Sequence, residues 1–399
     1  MKKIKFETIY KLIIITSLVI TIATITISRL TTKDGILLKK DLTVNFRDKI
    51  YIKDFIHSLN GTLVDNYQVD TTTVGQQELT ITFQNKYDFI VSKKINIEVK
   101  DVTSPTIIVS NPYTVEEGSI TNLTDNIFCA DDYDDNPDCT IKGEYDLNTP
   151  GDYNLEISAT DQSGNNTSKE FTLNVIKKVN KDNTPSTTPT YTSFKSILTK
   201  YKNDNTSIGL DLSKWQGEVD FAKLKEQGVE FVMIKIGGQK KIGDDYNLDP
   251  KFYDNIKGAL RNNIKVGLYF YSYATNEQEA IKQANWIISK IRNYQINLPI
   301  ALDWENWSNY TSFHLSFHSL NKIATAFINQ IEKHNYKALL YSSKSYLENI
   351  WYQEDYTTWI AYYTNDFPNY KDYYMWQLCS DGKIDGIKGY VDIDIMPKQ

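Results

Sequence analysis

The chain has 399 residues, of which 41% are hydrophobic and 24% charged, a composition that suits two or three globular domains with a sizeable core. Its formal net charge of -6 implies no large basic surface, which argues against nucleic acid as a partner. Three cysteines exclude a disulfide-built scaffold, while 28 tyrosines and 7 tryptophans supply rings that suit sugar stacking but serve equally as core filler.

At the N-terminus Lys2, Lys3, Lys5 and Lys11 precede an uncharged run, residues 12–27, close with its flanks to the ~20 residues that span a bilayer. The lysine excess places that end in the cytoplasm and everything after Arg29 outside. Residues 1–34 are therefore expected to form a cytoplasmic stub and transmembrane signal-anchor. The protein would sit in the cell membrane as a single-pass protein with its bulk extracellular. Secretion after signal cleavage is the alternative, although no clear small-x-small cleavage site follows the run.

From 35 to 177 the pattern becomes short alternating strands, such as Glu78-Leu79-Thr80-Ile81-Thr82-Phe83 and Phe171-Thr172-Leu173-Asn174-Val175, parted by Asn, Asp and Gly. Period-two alternation with frequent turns predicts β-sandwiches, with a seam at Asp101-Val102-Thr103-Ser104-Pro105 dividing 35–101 from 102–177. Thr149-Pro150-Gly151-Asp152-Tyr153 and Ala159-Thr160-Asp161-Gln162-Ser163-Gly164-Asn165 resemble bacterial Ig-like repeats. That resemblance implies spacers or weak adhesive units. An extracytoplasmic location permits a disulfide between Cys129 and Cys139 around an Asp-rich loop. That loop lacks the spacing of an EF-hand and reads as a solvated acidic turn. Residues 178–206, rich in Pro, Thr and Asn, read as a linker, with a short helix possible over 194–202.

Residues 207–399 alternate buried strands with helices. Ile208-Gly209-Leu210-Asp211-Leu212, Phe231-Val232-Met233-Ile234-Lys235-Ile236 and Lys265-Val266-Gly267-Leu268-Tyr269-Phe270-Tyr271 are strands, with helices near 221–227, 250–262, 276–292 and 316–335. This predicts a parallel sheet covered on both faces and long enough to close into an α/β barrel, whose active residues collect at strand C-termini. Strand 298–305 ends in Asp303-Trp304-Glu305. Alternation puts both carboxylates on one face, roughly 7 Å apart at Cα. Two acids so close cannot ionise independently, an arrangement suited to glycoside hydrolysis. An acidic loop with both groups merely solvated would show the same three residues. Asp211 ends another strand, where it could equally be a turn residue or helix cap.

Several motifs occur in order: Gly209-Leu210-Asp211-Leu212-Ser213-Lys214-Trp215-Gln216-Gly217, Val229-Glu230-Phe231-Val232-Met233-Ile234-Lys235, the Asp303-Trp304-Glu305 strand, Trp359-Ile360-Ala361-Tyr362-Tyr363 and Tyr390-Val391-Asp392. Together they resemble the glycoside hydrolase family 25 lysozymes, the Chalaropsis-type muramidases. The resemblance implies an irregular β/α barrel that cleaves the β-1,4 bond between N-acetylmuramic acid and N-acetylglucosamine in peptidoglycan. It implies Glu305 as general acid, Asp303 assisting through the substrate N-acetyl group, and Asp211 and Asp392 as further acids in the groove. Tyr269, Tyr271, Tyr341, Tyr363 and Trp376 would line the sugar subsites. The sequence departs from the family pattern at Asp394, where Asn is usual, and at Tyr269-Phe270-Tyr271, where His is frequent. No cofactor is expected. His57, His314, His318 and His334 lack zinc-site spacing, so no metal is expected either. The implied partner is the peptidoglycan glycan strand, with the membrane as a second through the N-terminal helix. The alternatives are a wall-binding or adhesion protein that grips glycan without cutting it, and a barrel glycosidase acting on another amino sugar such as chitin.

Overall fold

A computed structural model describes residues 6–32, 35–120, 122–123, 127–178, 191–305, 315–352, 355–370 and 373–398. Residues 179–190 of the expected linker and His314 lie outside these. The chain divides into two compact units, Met1–Thr103 and Ser104–Gln399.

The first unit opens with helix α1 (Phe6–Thr32). Among the described residues no helix is long and apolar enough to cross a membrane, which overturns the single-pass anchor and the membrane placement that rested on it. Within α1 Thr16, Thr21 and Thr24 turn their hydroxyls onto carbonyls of the preceding turn.

Neither β-rich segment is an Ig-like sandwich. In the first, a four-stranded sheet runs Thr43–Asn45, Ile90–Lys100, Gly75–Asn85, Gly61–Leu63, beside a two-stranded ribbon of Ile36–Leu38 and Ile56–Leu59. In the second, a sheet of Asp138–Lys142, Gly151–Thr160, Asn166–Ile176 and Tyr113–Glu116 accompanies a ribbon of Thr106–Ile108 and Phe128–Ala130. The alternating long strands are present, and they bury Ile81, Phe83, Ile95 and Ile97 in one case and Leu155, Ile157, Phe171 and Leu173 in the other. The remaining strands are only three to five residues long. They leave a small sheet with a ribbon where the sequence predicts two full sheets. Each sheet also ends in a parallel pair, Thr43–Asn45 on Ile90–Lys100 and Tyr113–Glu116 on Asn166–Ile176.

The second β segment is not a spacer, for it packs on the α/β domain of the same unit. Cys129 and Cys139 are joined by a disulfide, and the loop between them is docked rather than solvated: Asp131 and Asp134 are buried. Asp131 Oδ1 accepts from the backbone of Tyr133 and Asp134, and Asp134 Oδ2 accepts from Gln162 N at 2.8 Å. The carbonyls of Asp131 and Asp132 accept from the backbone of Phe317 (2.8 Å) and His318 (3.1 Å), and Asp135 Oδ1 accepts from Ser316 N at 2.8 Å. These donors are the first N–H groups of the helix Phe317–Glu332, which have no partner inside the helix. Phe128 meets Phe317 with ring centroids 6.1 Å apart, and Tyr352 donates its hydroxyl to Asp132.

The α/β domain begins with α2 (Phe194–Tyr201) and is built on eight strands: β1 (Thr206–Leu212), β2 (Phe231–Gly238), β3 (Lys265–Tyr271), β4 (Ile300–Asp303), β5 (Ala338–Ser343), β6 (Thr358–Ala361), β7 (Tyr373–Lys383) and β8 (Val391–Pro397). Strands β1 to β7 pair in sequence and in parallel, and β8 lies antiparallel between β7 and β1, so the two ends of the sheet meet. Helices α3 (Phe221–Glu226), α4 (Phe252–Arg261), α5 (Glu277–Ile291), α6 (Phe317–Glu332) and α7 (Lys344–Asn349) cross between strands. Their starts follow local chemistry. Asp220 caps α3, Asn276 caps α5 and Ser316 caps α6, each side chain accepting from a backbone N–H of the first turn.

Strand alternation sorts the core into two layers. Phe231, Met233, Tyr269, Ala301, Leu339, Tyr341, Trp359 and Met375 fill the inside of the sheet. Val232, Ile234, Leu268, Phe270, Ile300, Leu302 and Trp376 pack outward, against the helices. Gly209 is required for this packing, since a Cβ there would lie 2.4 Å from the ring of Phe231.

Candidate active site

Alternation along the strands also selects which side chains reach the C-terminal mouth of the sheet. Asp211 on β1 pairs with Asp392 on β8, and Asp303 on β4 lies between Tyr271 of β3 and Tyr341 of β5. Strand β4 ends at Asp303, two residues before the sequence predicts, so Glu305 stands beyond the strand rather than on its face. Trp304 fixes that exit: it is buried and meets Trp351 edge to face at 5.8 Å. Asp211, Asp303, Glu305 and Asp392 line one cavity of about 420 Å³ together with Tyr269, Tyr271 and Tyr341. The four acids, drawn from β1, β4 and β8, thus share one opening.

Their environments differ. Asp303 is 3% exposed, and its Oδ1 has no hydrogen-bond partner among the described residues. Burial raises its pKa well above the ordinary carboxylate range, and the neighbouring Glu305 adds to the rise while Lys235 opposes it. Glu305 is exposed by surface area at the groove mouth yet ringed by protein. The crowding raises its pKa and Lys235 again opposes, while the exposure is what gives substrate access to it. Such a pair releases its protons in sequence, so an intermediate pH leaves one proton between them. Asp211 is raised well above the usual range, by burial first and then by Asp392 and Asp394. Asp392 is raised to about 6, by burial first and then by Glu305.

These shifts share one sign. A carboxyl whose folded pKa exceeds its unfolded value stabilises the fold fully below the unfolded pKa, and the contribution disappears as pH rises through the folded pKa. For Asp392 that window runs from about 4 to about 6. Thermal unfolding should therefore occur at higher temperature at pH 5 than at pH 8. Asp392→Asn should remove roughly 2–3 kcal/mol of that dependence between pH 4 and 6. A melting temperature that rises across this range would refute the assignment.

Gln377 on β7 ties the acids together and goes unnoticed in the sequence. It is fully buried; its Nε2 donates to Asp392 Oδ2 (3.1 Å) and Asp211 Oδ2 (3.3 Å). Its Oε1 accepts from the hydroxyls of Tyr341 (2.8 Å) and Tyr363 (3.0 Å). A lone amide in the apolar run Tyr374-Met375-Trp376-Gln377-Leu378 is the signal that could have found it. Trp376, expected to line a sugar subsite, is instead in the outer layer, where its Nε1 donates to Tyr362 O at 2.7 Å. Gln377 faces the groove, so its sequence neighbour must face away. Trp359 is a second omission: it packs edge to face on Tyr341 with ring centroids 4.6 Å apart, and its Nε1 donates to Asp394 Oδ1 at 2.9 Å. Asp394 is fully buried behind the cavity, and burial, with Asp392 adding to it, holds its pKa well above the usual range. Tyr363 lines an adjoining compartment with Glu305, Tyr341 and Tyr362. Trp215 is 78% exposed at the opposite side of the opening.

Residues 210–387 match the model of the family described as Glycosyl hydrolases family 25. The chain is 26% identical over 215 residues to the uncharacterized protein YegX of Escherichia coli strain K12, covering 51% of this chain and 75% of that one. It is 29% identical over 189 residues to the autolytic lysozyme of Clostridium acetobutylicum, covering 47% of this chain and 54% of the lysozyme. Among solved structures it is similar to the Clostridium perfringens spore cortex lytic enzyme SleM, with a TM-score of 0.44 at 23% identity, covering 50% of this chain and 69% of that one. The sheet mouth described above lies within the matched residues, apart from the strand β8 that supplies Asp392. The C-terminal α/β domain carries the match to glycosyl hydrolase family 25, and the chain is a glycoside hydrolase.

Proposed function

We propose that the chain is a lysozyme that hydrolyses the β-1,4 bond from N-acetylmuramic acid to N-acetylglucosamine in peptidoglycan. The observation that carries this is the convergence of Asp211, Asp303, Glu305 and Asp392 on one groove lined by tyrosines. The similarity to the autolytic lysozyme of Clostridium acetobutylicum supports the substrate class.

In this scheme Glu305, accessible and with a raised pKa, donates its proton to the glycosidic oxygen as the bond to C1 breaks. Asp303 lies beneath it with an oxygen that no described residue engages, placed to accept the N–H of the substrate acetamido group. That contact would hold the acetamido carbonyl oxygen toward C1, where it attacks as the leaving sugar departs. Such substrate assistance departs from the two-carboxylate template. Water then adds at C1 as the bond from C1 to the acetamido oxygen breaks and the acetamido group is restored, and Glu305, now a carboxylate, takes the proton from that water. Asp211 and Asp392, bridged by Gln377, would hold the floor of the groove and the field around the reacting carbon.

Digestion of purified peptidoglycan, with mass analysis of the new reducing ends, tests the assignment. Reducing ends on muramic acid are expected. Ends on glucosamine would redirect the cleavage to the other bond, and binding without release would make the domain a glycan-binding module.

A further inference from the structure

The groove is electrically lopsided. Its centre holds the four acids, and beyond Trp215 it continues into a second compartment that shares Trp215, Lys235 and Tyr271 with the first. Three lysines, Lys214, Lys235 and Lys240, wall this compartment. Lys214 Nζ lies 4.6 Å from the Trp215 ring centre, and Lys235 Nζ lies 4.6 Å from that of Tyr271. Among the described residues none of the three lysines forms an ion pair, whereas nearby Lys251 is engaged by Glu218 and Asp254. The acid in the compartment, Asp249, is buried, and its oxygens accept backbone N–H groups of Lys251 (2.8 Å) and Lys214 (3.0 Å). Lys235 also faces Asp303 and Glu305. Lys214 and Lys240, both exposed, are therefore the cations whose charge no described carboxylate answers. On the far side of the cavity the compartment around Tyr362 is balanced, with Lys344 paired to Glu348.

A neutral amino-sugar polymer offers such a cationic wall nothing. The muramic sugar does: its 3-O-lactyl group ends in a carboxylate or continues into a peptide stem that carries carboxylates of its own. We propose that the compartment walled by Lys214 and Lys240 receives the carboxylate-bearing substituent of the muramic sugar, so that the enzyme selects anionic glycan. Trp215, shared by both compartments, would stack on the sugar from which that substituent hangs. This inference rests on the lysozyme assignment and adds to it the feature by which the substrate is chosen.

The test compares three preparations of one glycan: stem-bearing, amidase-stripped so that the lactyl carboxylate is free, and carbodiimide-amidated so that the carboxylates are blocked. Each is digested by the full chain and by a Lys214→Gln/Lys240→Gln variant. Two exposed charge contacts are each worth up to about fivefold. Amidation of the substrate and substitution of the lysines should each lower kcat/KM by roughly fivefold, through KM. Together they should do little more than either alone, because both remove one interaction. Loss confined to the stem-bearing glycan would assign the site to the stem; loss on the stripped glycan would assign it to the lactyl group. Equal cleavage of all three, or losses that multiply, would overturn the inference and leave the lysozyme assignment standing. Failure of the unmodified chain to cut any of them would remove the assignment first, and the inference with it.

Discussion

Replacing Glu305 by Gln is expected to lower peptidoglycan hydrolysis by roughly 10²–10⁴-fold in kcat, with KM and the melting temperature nearly unchanged. The size follows from its role. An amide has the shape of the protonated acid but cannot deliver a proton to the departing oxygen, nor take one from water afterwards. The selectivity follows from its setting. Glu305 lies beyond the end of β4, exposed, and makes no hydrogen bond or ion pair to a described residue, so an amide there breaks no bond of the fold, and loss of its charge eases the crowding of acids rather than weakening the structure. Trp304, packed on Trp351, holds the backbone there whatever residue follows. Release of reducing ends, followed beside circular-dichroism melting, separates the two effects. Activity within threefold of the unmodified chain would show that another group supplies the proton.

How much of this site the sequence reveals depends on whether the determining contact is local. Parallel strands with both faces covered are visible as apolar runs, and their order predicts the sheet that carries Asp211 and Asp303, whereas Asp392, on the antiparallel β8, is reached only through the family resemblance. Face alternation puts Tyr269 and Tyr271 on one side of their strand, while their meeting with Tyr341 comes from strand order and the family resemblance. The same rule misleads where the register is unknown. Trp376 and Gln377 are adjacent, and choosing the ring over the amide as the groove residue puts the wrong one inward. The apolar run suggests a longer β4 than the structure has, because it does not show that Trp304 leaves the strand to meet Trp351, 47 residues later in the chain. Alternation in the β-rich segments is likewise visible, but the number and length of strands opposite the long pairs is not, and two full sandwiches were expected where small sheets with ribbons stand. The docking of the Cys129–Cys139 loop on the start of α6 is a contact across some 180 residues, with no local signature beyond the loop's acids. Hydropathy along 12–27 suggests a membrane span, but among the described residues no helix meets the length and apolarity that crossing requires.

The second large effect is expected at Gln377, whose amide is satisfied on every side. Its two N–H groups serve Asp211 and Asp392, and its carbonyl serves Tyr341 and Tyr363. This orientation sets both N–H groups on carboxyl oxygens and the carbonyl on two hydroxyl donors. Gln377→Met keeps the volume and removes every bond. Each stranded buried group costs about 1–3 kcal/mol, so a total loss of roughly 3–5 kcal/mol is expected after relaxation, with hydrolysis impaired as the acids lose their bridge. Gln377→Glu discriminates further. As a protonated acid it can still accept from the tyrosines and donate once. Once ionised it would place a third negative charge between Asp211 and Asp392, and burial beside them would raise its pKa. Its stability should therefore be near that of the unmodified chain at pH 5 and fall steeply toward pH 8, the sign expected for a carboxyl raised in the folded state. Denaturant unfolding of both variants at the two pH values measures this. A Gln377→Glu protein equally stable at pH 5 and pH 8 would mean that the amide does not bridge the two acids.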